Sequence, residues 1–286
     1  MLIAALSIAT LVSGTVLAKS KYYVPIEGKR SVYFSGIKEW EQIGTFSATY
    51  AKDGKLKKYS YKDANTSNTA EYKWKGGNLS KTTDVSTYSY EDISGSETVT
   101  STFKIKNNKP VKMTTTFSDG TQSNQVYKWK KNKGTVTTTR PTGKSTWTVT
   151  LKKGRIYKEK YSDGSSDTCT YYRNYLLKKY SFKGKNGSSN ETKYNKYGFP
   201  VSKERVGTYF TTIDGKKVTV KYSESISFKW TYKKGVPKEV VITTKRTETP
   251  GKKSSSKVKW EFTKTKQVST LRNCDRYGLS AEIPLY

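Results

Sequence analysis

The chain has 286 residues, with 54 Lys and Arg against 23 Asp and Glu, and no histidine. A formal net charge of +31 bears on partners and solubility rather than on fold. The missing histidine excludes Ser-His-Asp and Cys-His catalysis and histidine-held catalytic metals, and two cysteines alone make no standard structural zinc site.

Low hydrophobicity with high charge is also the signature of disorder. Against that stand 23 Tyr, 9 Phe and 6 Trp at regular spacing, which give a folded chain apolar area to bury.

In chain order, residues 1–18 (MLIAALSIATLVSGTVLA) form an apolar run ending in Val16-Leu17-Ala18, the small-residue pattern of a secretory signal peptide. No cysteine follows the run, so no lipid-modified N-terminus is expected, nor any transmembrane anchor after cleavage. Residues 19–49 read as an N-terminal strand or cap segment, 50–270 as a repeat domain and 271–286 as a tail. Two readings stand for Cys169 and Cys274: one disulfide, closing a loop of roughly a hundred residues and worth about 4–5 kcal/mol, or two free thiols.

The repeat appears when YAKDGKLKKYSY from Tyr50, YKWKGGNLSKTT from Tyr72, FKIKNNKPVKMTTTF from Phe103 and YKWKKNKGTVTTT from Tyr127 are set beside one another. TVTLKKGRIYKEKY, YYRNYLLKKYSF, YNKYGFPVSKERV and WTYKKGVPKEVVIT continue the series. Each is an aromatic strand end, a Gly/Asn/Lys turn, and Leu, Pro, Val or Ile opening a return strand. Most starts lie about 22 to 24 residues apart. Between them fall turns of a second kind, such as FSDGTQSN, YSDGSSD and KGKNGSSN, rich in residues that tolerate positive φ or hydrogen-bond locally. Each period therefore holds two strands, and no stretch has helical periodicity. The expected fold is all-β: an antiparallel meander of repeated hairpins, curled or barrel-like.

YAKDGKLKKYSY and YNKYGFPVSKERV resemble the YD-repeat (tyrosine–aspartate repeat) proteins of bacterial secretion, over roughly Tyr50 to Thr270. The aspartate after the tyrosine is replaced by Ala51, Lys73, Lys128 and Asn195. The resemblance implies a long meander curling into a shell, and it carries no activity.

The stretch from Lys216 to Gly235 shows the pattern most clearly. Val218, Val220, Tyr222, Glu224, Ile226, Phe228, Trp230 and Tyr232 alternate with Thr, Ser and Lys. Residues two apart share a strand face, so the aromatic row should point inward and Lys217, Lys221, Lys229 and Lys233 outward. A strand this long suggests a bulge near Ser223-Glu224-Ser225. An outer-membrane barrel also alternates, but the C-terminal SAEIPLY lacks the matching terminal pattern, and so cationic a polar face suits a lumen poorly.

For chemistry, carboxylates remain. Glu39 and Glu41 flank Trp40, with Glu224 and Glu239 as further candidates for a sugar-cleaving pair, the alternative reading of this chain as a secreted carbohydrate-active or toxin-like enzyme. The cationic face is the stronger signal. Lys128, Trp129 and Lys130 in YKWKK, with Lys221, Lys229 and Lys233, combine charge with flat rings. These residues point to a secreted, non-enzymatic protein, without cofactor or metal, that is structural or meets an anionic cell-wall polymer or glycan. Export makes nucleic acid an unsuitable physiological partner. The plain alternative is that these lysines only keep exposed strands soluble.

Overall fold

The computed structural model describes residues 22–75, 78–90, 93–107, 109–152, 155–173, 176–213 and 215–268. The signal-like run, the C-terminal tail and Cys274 lie outside them. Eighteen strands follow in sequence. They are β1 (Tyr22–Phe34), β2 (Glu39–Tyr50), β3 (Leu56–Asp63), β4 (Thr66–Lys75), β5 (Asn78–Tyr90), β6 (Ile93–Lys106), β7 (Lys109–Thr116), β8 (Gln122–Lys130) and β9 (Lys133–Arg140). The second half comprises β10 (Gly143–Lys152), β11 (Arg155–Tyr161), β12 (Ser166–Tyr171), β13 (Leu177–Lys183), β14 (Ser189–Tyr194), β15 (Pro200–Ile213), β16 (Lys216–Lys233), β17 (Val236–Thr249) and β18 (Lys253–Val268).

Each strand pairs antiparallel with its sequence neighbours, and β1 also pairs with β18. The meander is a closed up-and-down barrel, which leaves no free sheet edge. The segment read as an N-terminal cap supplies the closing strand: β1 joins β2 on one side and β18 on the other.

Alternation sorts the two faces. In β2, Gly44, Phe46, Ala48 and Tyr50 are buried while Thr45, Ser47 and Thr49 are exposed. In β16, Val220, Ile226 and Phe228 are buried, and Lys217, Lys221, Lys229 and Lys233 are exposed, as the sequence predicts. Side chains converge on the concave face of a closed sheet and splay on the convex one, so the shielded row lines the interior. The larger apolar cluster runs along β1–β4 and β16–β18 and includes Phe46, Tyr59, Phe228, Val240, Trp260 and Phe262. A smaller one, Val136, Val149 and Leu151, lies on β9 and β10. Between these arcs the inner wall is polar: Asp84 lies in register with Ala70, and Lys203 with Thr192.

The rings lie along the wall, over glycines on adjacent strands. A β-carbon at Gly28 would collide with the Phe46 ring and the Glu261 carbonyl, and Trp129 and Tyr222 cover Gly134 and Gly207 in the same way. The ring of a cross-strand partner thus shields the backbone that glycine bares.

The repeat has a recurring joint. Seven hairpins shift register one or two pairs from the turn, leaving Lys57, Ser80, Val111, Tyr157, Lys178, Val201 and Lys238 as the extra residues of bulges. The preceding residues Leu56, Leu79, Pro110, Ile156, Leu177, Pro200 and Pro237 are the return-strand openers read from sequence, now seen turned inward. Proline is tolerated at such bulges because no ladder hydrogen bond is asked of it.

Beyond the joint the next ladder has not yet begun: β3–β4 pairing starts at Lys58, past the Leu56 carbonyl. Trp74 Nε1 donates to that carbonyl at 2.8 Å. Trp129 Nε1 does the same for Pro110 (2.7 Å) and Trp230 Nε1 for Pro200 (2.8 Å), while the Tyr171 hydroxyl serves Ile156 (2.8 Å). The repeat's aromatic is therefore a staple that satisfies a backbone acceptor.

The bulge expected at Ser223–Ser225 is absent. The β15–β16 ladder runs without a shift from Lys216 to Ser227. Glu224 does not break the row because it is paired inside the wall with Arg205 at 3.1 Å and lies in register with Arg246.

Candidate functional site

Because strands alternate in direction, the two turn classes of the repeat fall on opposite rims. One rim carries the Asp/Gly/Ser turns and the other the Gly/Asn/Lys turns. On the first, acids are consumed locally: Asp119 Oδ1 accepts from the Thr121 amide and hydroxyl (2.9 and 2.7 Å), and Asp163 Oδ1 from those of Ser165 (2.8 and 2.6 Å). These bonds hold both carboxyls below their usual range, the hydroxyl bond being the larger cause in each case.

The second rim gathers Lys130, Lys131 and Lys133 at the β8–β9 turn and Lys233 and Lys234 at the β16–β17 turn, all exposed. Among the described residues of its connecting turns, Asp53 is the only acid, and it is bound to Lys55 at 2.5 Å. Lys131 and Lys234 adopt φ of 52° and 51°, a conformation glycine or asparagine accepts at less cost than lysine.

Three hollows open at this lysine rim. One, of about 650 Å³, is lined by Lys52, Lys55, Lys57, Lys73 and the rings of Tyr72 and Trp74, with Asp53. A second, of about 580 Å³, brings together Lys128, Trp129 and Lys130 with Lys133 and Lys160. The third, of about 360 Å³, lies among β10–β12 and the residues that follow β12. Each is bordered by several cations; the first and third also include tyrosine or tryptophan rings, whereas Trp129 of the second lies across the wall from Lys128 and Lys130.

The other sequence candidates are dispersed. Lys128 and Lys130 point outward, while Trp129 belongs to the inner staple, and the cation over its ring is Lys109 from β7 at 5.3 Å. Lys221, Lys229 and Lys233 lie exposed on β16, eight strands from β8 in an eighteen-strand ring, so they share no patch with Lys128. Only Lys233 of the three reaches the lysine rim. Cys169 is a free thiol, half-buried. Glu39 and Glu41 are exposed at the opposite rim, where the Trp40 ring meets that of Tyr33 at a tilt of 57° (centroids 5.3 Å apart) beneath Lys259. Glu239 sits across from Glu261 on the β17–β18 ladder.

An acidic pair that sequence reading passed over lies on the inner wall, Glu159 of β11 in register with Asp167 of β12. Both carboxylates are engaged. Asp167 accepts from the hydroxyls of Tyr161 (2.6 Å) and Tyr180 (2.7 Å), and Glu159 from Trp147 Nε1 (3.0 Å). This is a structural network; its sequence signal is one acid on the aromatic-bearing face of each of two successive strands.

Burial holds the Glu159 carboxyl above its usual value, with Asp167 adding to the rise and the Trp147 bond opposing it. The native state thus binds this proton more tightly than the unfolded chain. Its contribution to stability grows as pH falls from above the raised value toward the ordinary carboxyl range. Glu159→Gln, which keeps the acceptor for Trp147, is expected to raise the urea midpoint at pH 7. That gain should shrink as pH is lowered toward 5; a loss at pH 7 would contradict the assignment.

No protein-family model matches the chain, and no curated protein matches it. Among solved structures it is similar to a porin-like protein from Bacteroides uniformis ATCC 8492, at 12% identity and a TM-score of 0.41, covering 84% of this chain and 97% of that one. It is also similar to a porin-like protein from Bacteroides vulgatus ATCC 8482, at 11% identity and a TM-score of 0.27, covering 84% and 99%. The class is that of closed antiparallel β-barrels.

Proposed function

We propose that the protein is an exported, non-enzymatic barrel of the cell envelope or its surroundings that holds anionic glycans or wall polymers against its lysine rim. The observation that carries this reading is the set of three hollows at one rim, each bordered by several cations, where Asp53 is the one acid among the described residues of the connecting turns.

The outer wall opposes a lipid-embedded reading. Outward positions of β4 are Ser67, Thr69, Glu71, Lys73 and Lys75, and those of β16 are Lys, Thr and Ser throughout. Lysine facing lipid at the midplane of a barrel costs about 2–4 kcal/mol apiece. The engagement of both carboxylates in the inner acidic pair favours the non-enzymatic reading over a glycosidase.

The test is retention of the full chain on an immobilised polyuronate and on a neutral glucan across a salt series. Retention on the polyuronate should weaken at least about tenfold between about 50 and 200 mM salt, as counter-ion release requires. Retention that ignores salt, or equal retention on the neutral glucan, would remove the charge mechanism. No retention at low salt would favour a structural spacer.

A further inference from the structure

The third hollow has a composition the other two lack. Lys152 and Arg155 border the β10–β11 turn, Tyr157 is the extra residue of the β11 bulge, Cys169 and Tyr171 come from β12, and Tyr172 and Arg173 follow it. Its described lining residues include two arginines, where the cations of the other two hollows are all lysines, and they contain no acid.

The cations are held over rings: Lys152 Nζ lies 5.4 Å from the Tyr157 ring centroid and the Arg155 guanidinium 5.5 Å from that of Tyr171. Tyr171 is itself anchored through its hydroxyl to the Ile156 carbonyl. The bulge is what turns Tyr157 out of the ladder and leaves it 40% exposed.

We infer that this hollow is a subsite for a uronate unit, a sugar ring bearing a carboxylate. The inference rests on the rim reading above and names its ligand chemistry. Two guanidiniums offer the planar fork that pairs with a carboxylate through parallel hydrogen bonds. Lys152 adds a point charge, and the tyrosine faces offer flat apolar surface for the C–H side of a sugar ring. About 360 Å³ lies within the range of small-molecule sites and holds a sugar rather than a bare anion. The Cys169 thiol, pushed up to about 11 chiefly by burial, forms part of the lining and provides a reporter inside the cavity.

The experiment uses the full chain carrying Cys274→Ser, so that Cys169 is the single thiol. Its modification by a small thiol reagent at pH 9 is timed with and without an oligogalacturonate, and the same oligomer is titrated calorimetrically as a measure independent of thiol chemistry. Occupancy should slow modification by about tenfold, since access governs thiol reactivity alongside ionisation.

Arg155→Ala with Arg173→Ala should abolish the protection and weaken the titrated affinity by about tenfold or more. Arg173 is exposed, so Arg173→Ala alone should keep the parent urea midpoint while showing a partial loss. Equal protection by a neutral oligosaccharide of the same length, or protection by inorganic phosphate but not by the uronate, would overturn the assignment. Polyuronate retention that persists without any protection of Cys169 defeats the subsite and leaves the rim reading intact. Protection without retention does the reverse.

Discussion

Gly28→Val is expected to destabilise the barrel by about 3–5 kcal/mol, because the new side chain displaces the Phe46 ring and presses on backbone that has nowhere to go. Gly28 lies on β1, the strand that closes the sheet, opposite Phe46 on one side and Phe262 on the other. Phe46 reaches over it to meet Trp260 and Phe262 at ring-centroid distances of 5.4 and 6.1 Å. The same ring therefore bridges β2 to β18 across the closing strand, and losing its seat uncouples both ladders of the seam. A β-carbon at Gly36, in the β1–β2 turn, meets nothing within 4 Å. Gly36→Val should accordingly shift the urea midpoint far less than Gly28→Val. A Gly28→Val chain that unfolds with the parent midpoint would show that the rings do not seal the barrel in this way.

What the sequence made legible follows from chemistry that repeats. Alternation from Val218 to Tyr232 placed Ile226 and Phe228 inside and Lys229 outside, because burial on one face of a strand obeys a period of two. The two turn classes were also readable, since Gly54 and Gly164 sit at positive φ where their turns require it. That they mark opposite rims needs one more step: in an unbroken meander, successive turns must fall at opposite ends.

Four features were hidden. The bulges track register, and only the pairing of Thr150 with Lys158 and Leu151 with Ile156 reveals Tyr157 as surplus. Trp129 in its lysine-flanked setting suggested a stacking platform, whereas its indole nitrogen serves the Pro110 carbonyl. A ring between two lysines on a strand must face away from both, so strand periodicity itself argued for the inner wall. Glu224 looked like a break because its partners, Arg205 and Arg246, lie on neighbouring strands far along the chain. Closure between β1 and β18 left no local trace, being a property of the whole ring.

Reversing charge at the lysine rim should abolish polyanion binding where the same reversal elsewhere does not. Lys130→Glu, Lys131→Glu, Lys233→Glu and Lys234→Glu change two turns on the lysine rim, all four positions exposed. Lys183→Glu, Lys185→Glu, Lys216→Glu and Lys217→Glu change net charge by the same amount at the opposite rim, again at exposed positions.

If the excess of +31 acted only through its total, the two variants would weaken polyuronate retention equally. Exposed charges separated by more than about 8–10 Å are largely screened at physiological salt, so a rim reads its own lysines and not those at the far end of the barrel. The rim variant is expected to lose about a hundredfold in affinity and to show a shallower salt slope, while its opposite-rim counterpart stays within about threefold of the parent. Relief of left-handed strain is not the source of any difference, since glutamate at Lys131 or Lys234 meets the same backbone penalty as lysine. Matched losses in the two variants would place recognition in the wall as a whole; matched retention would remove the anionic partner altogether.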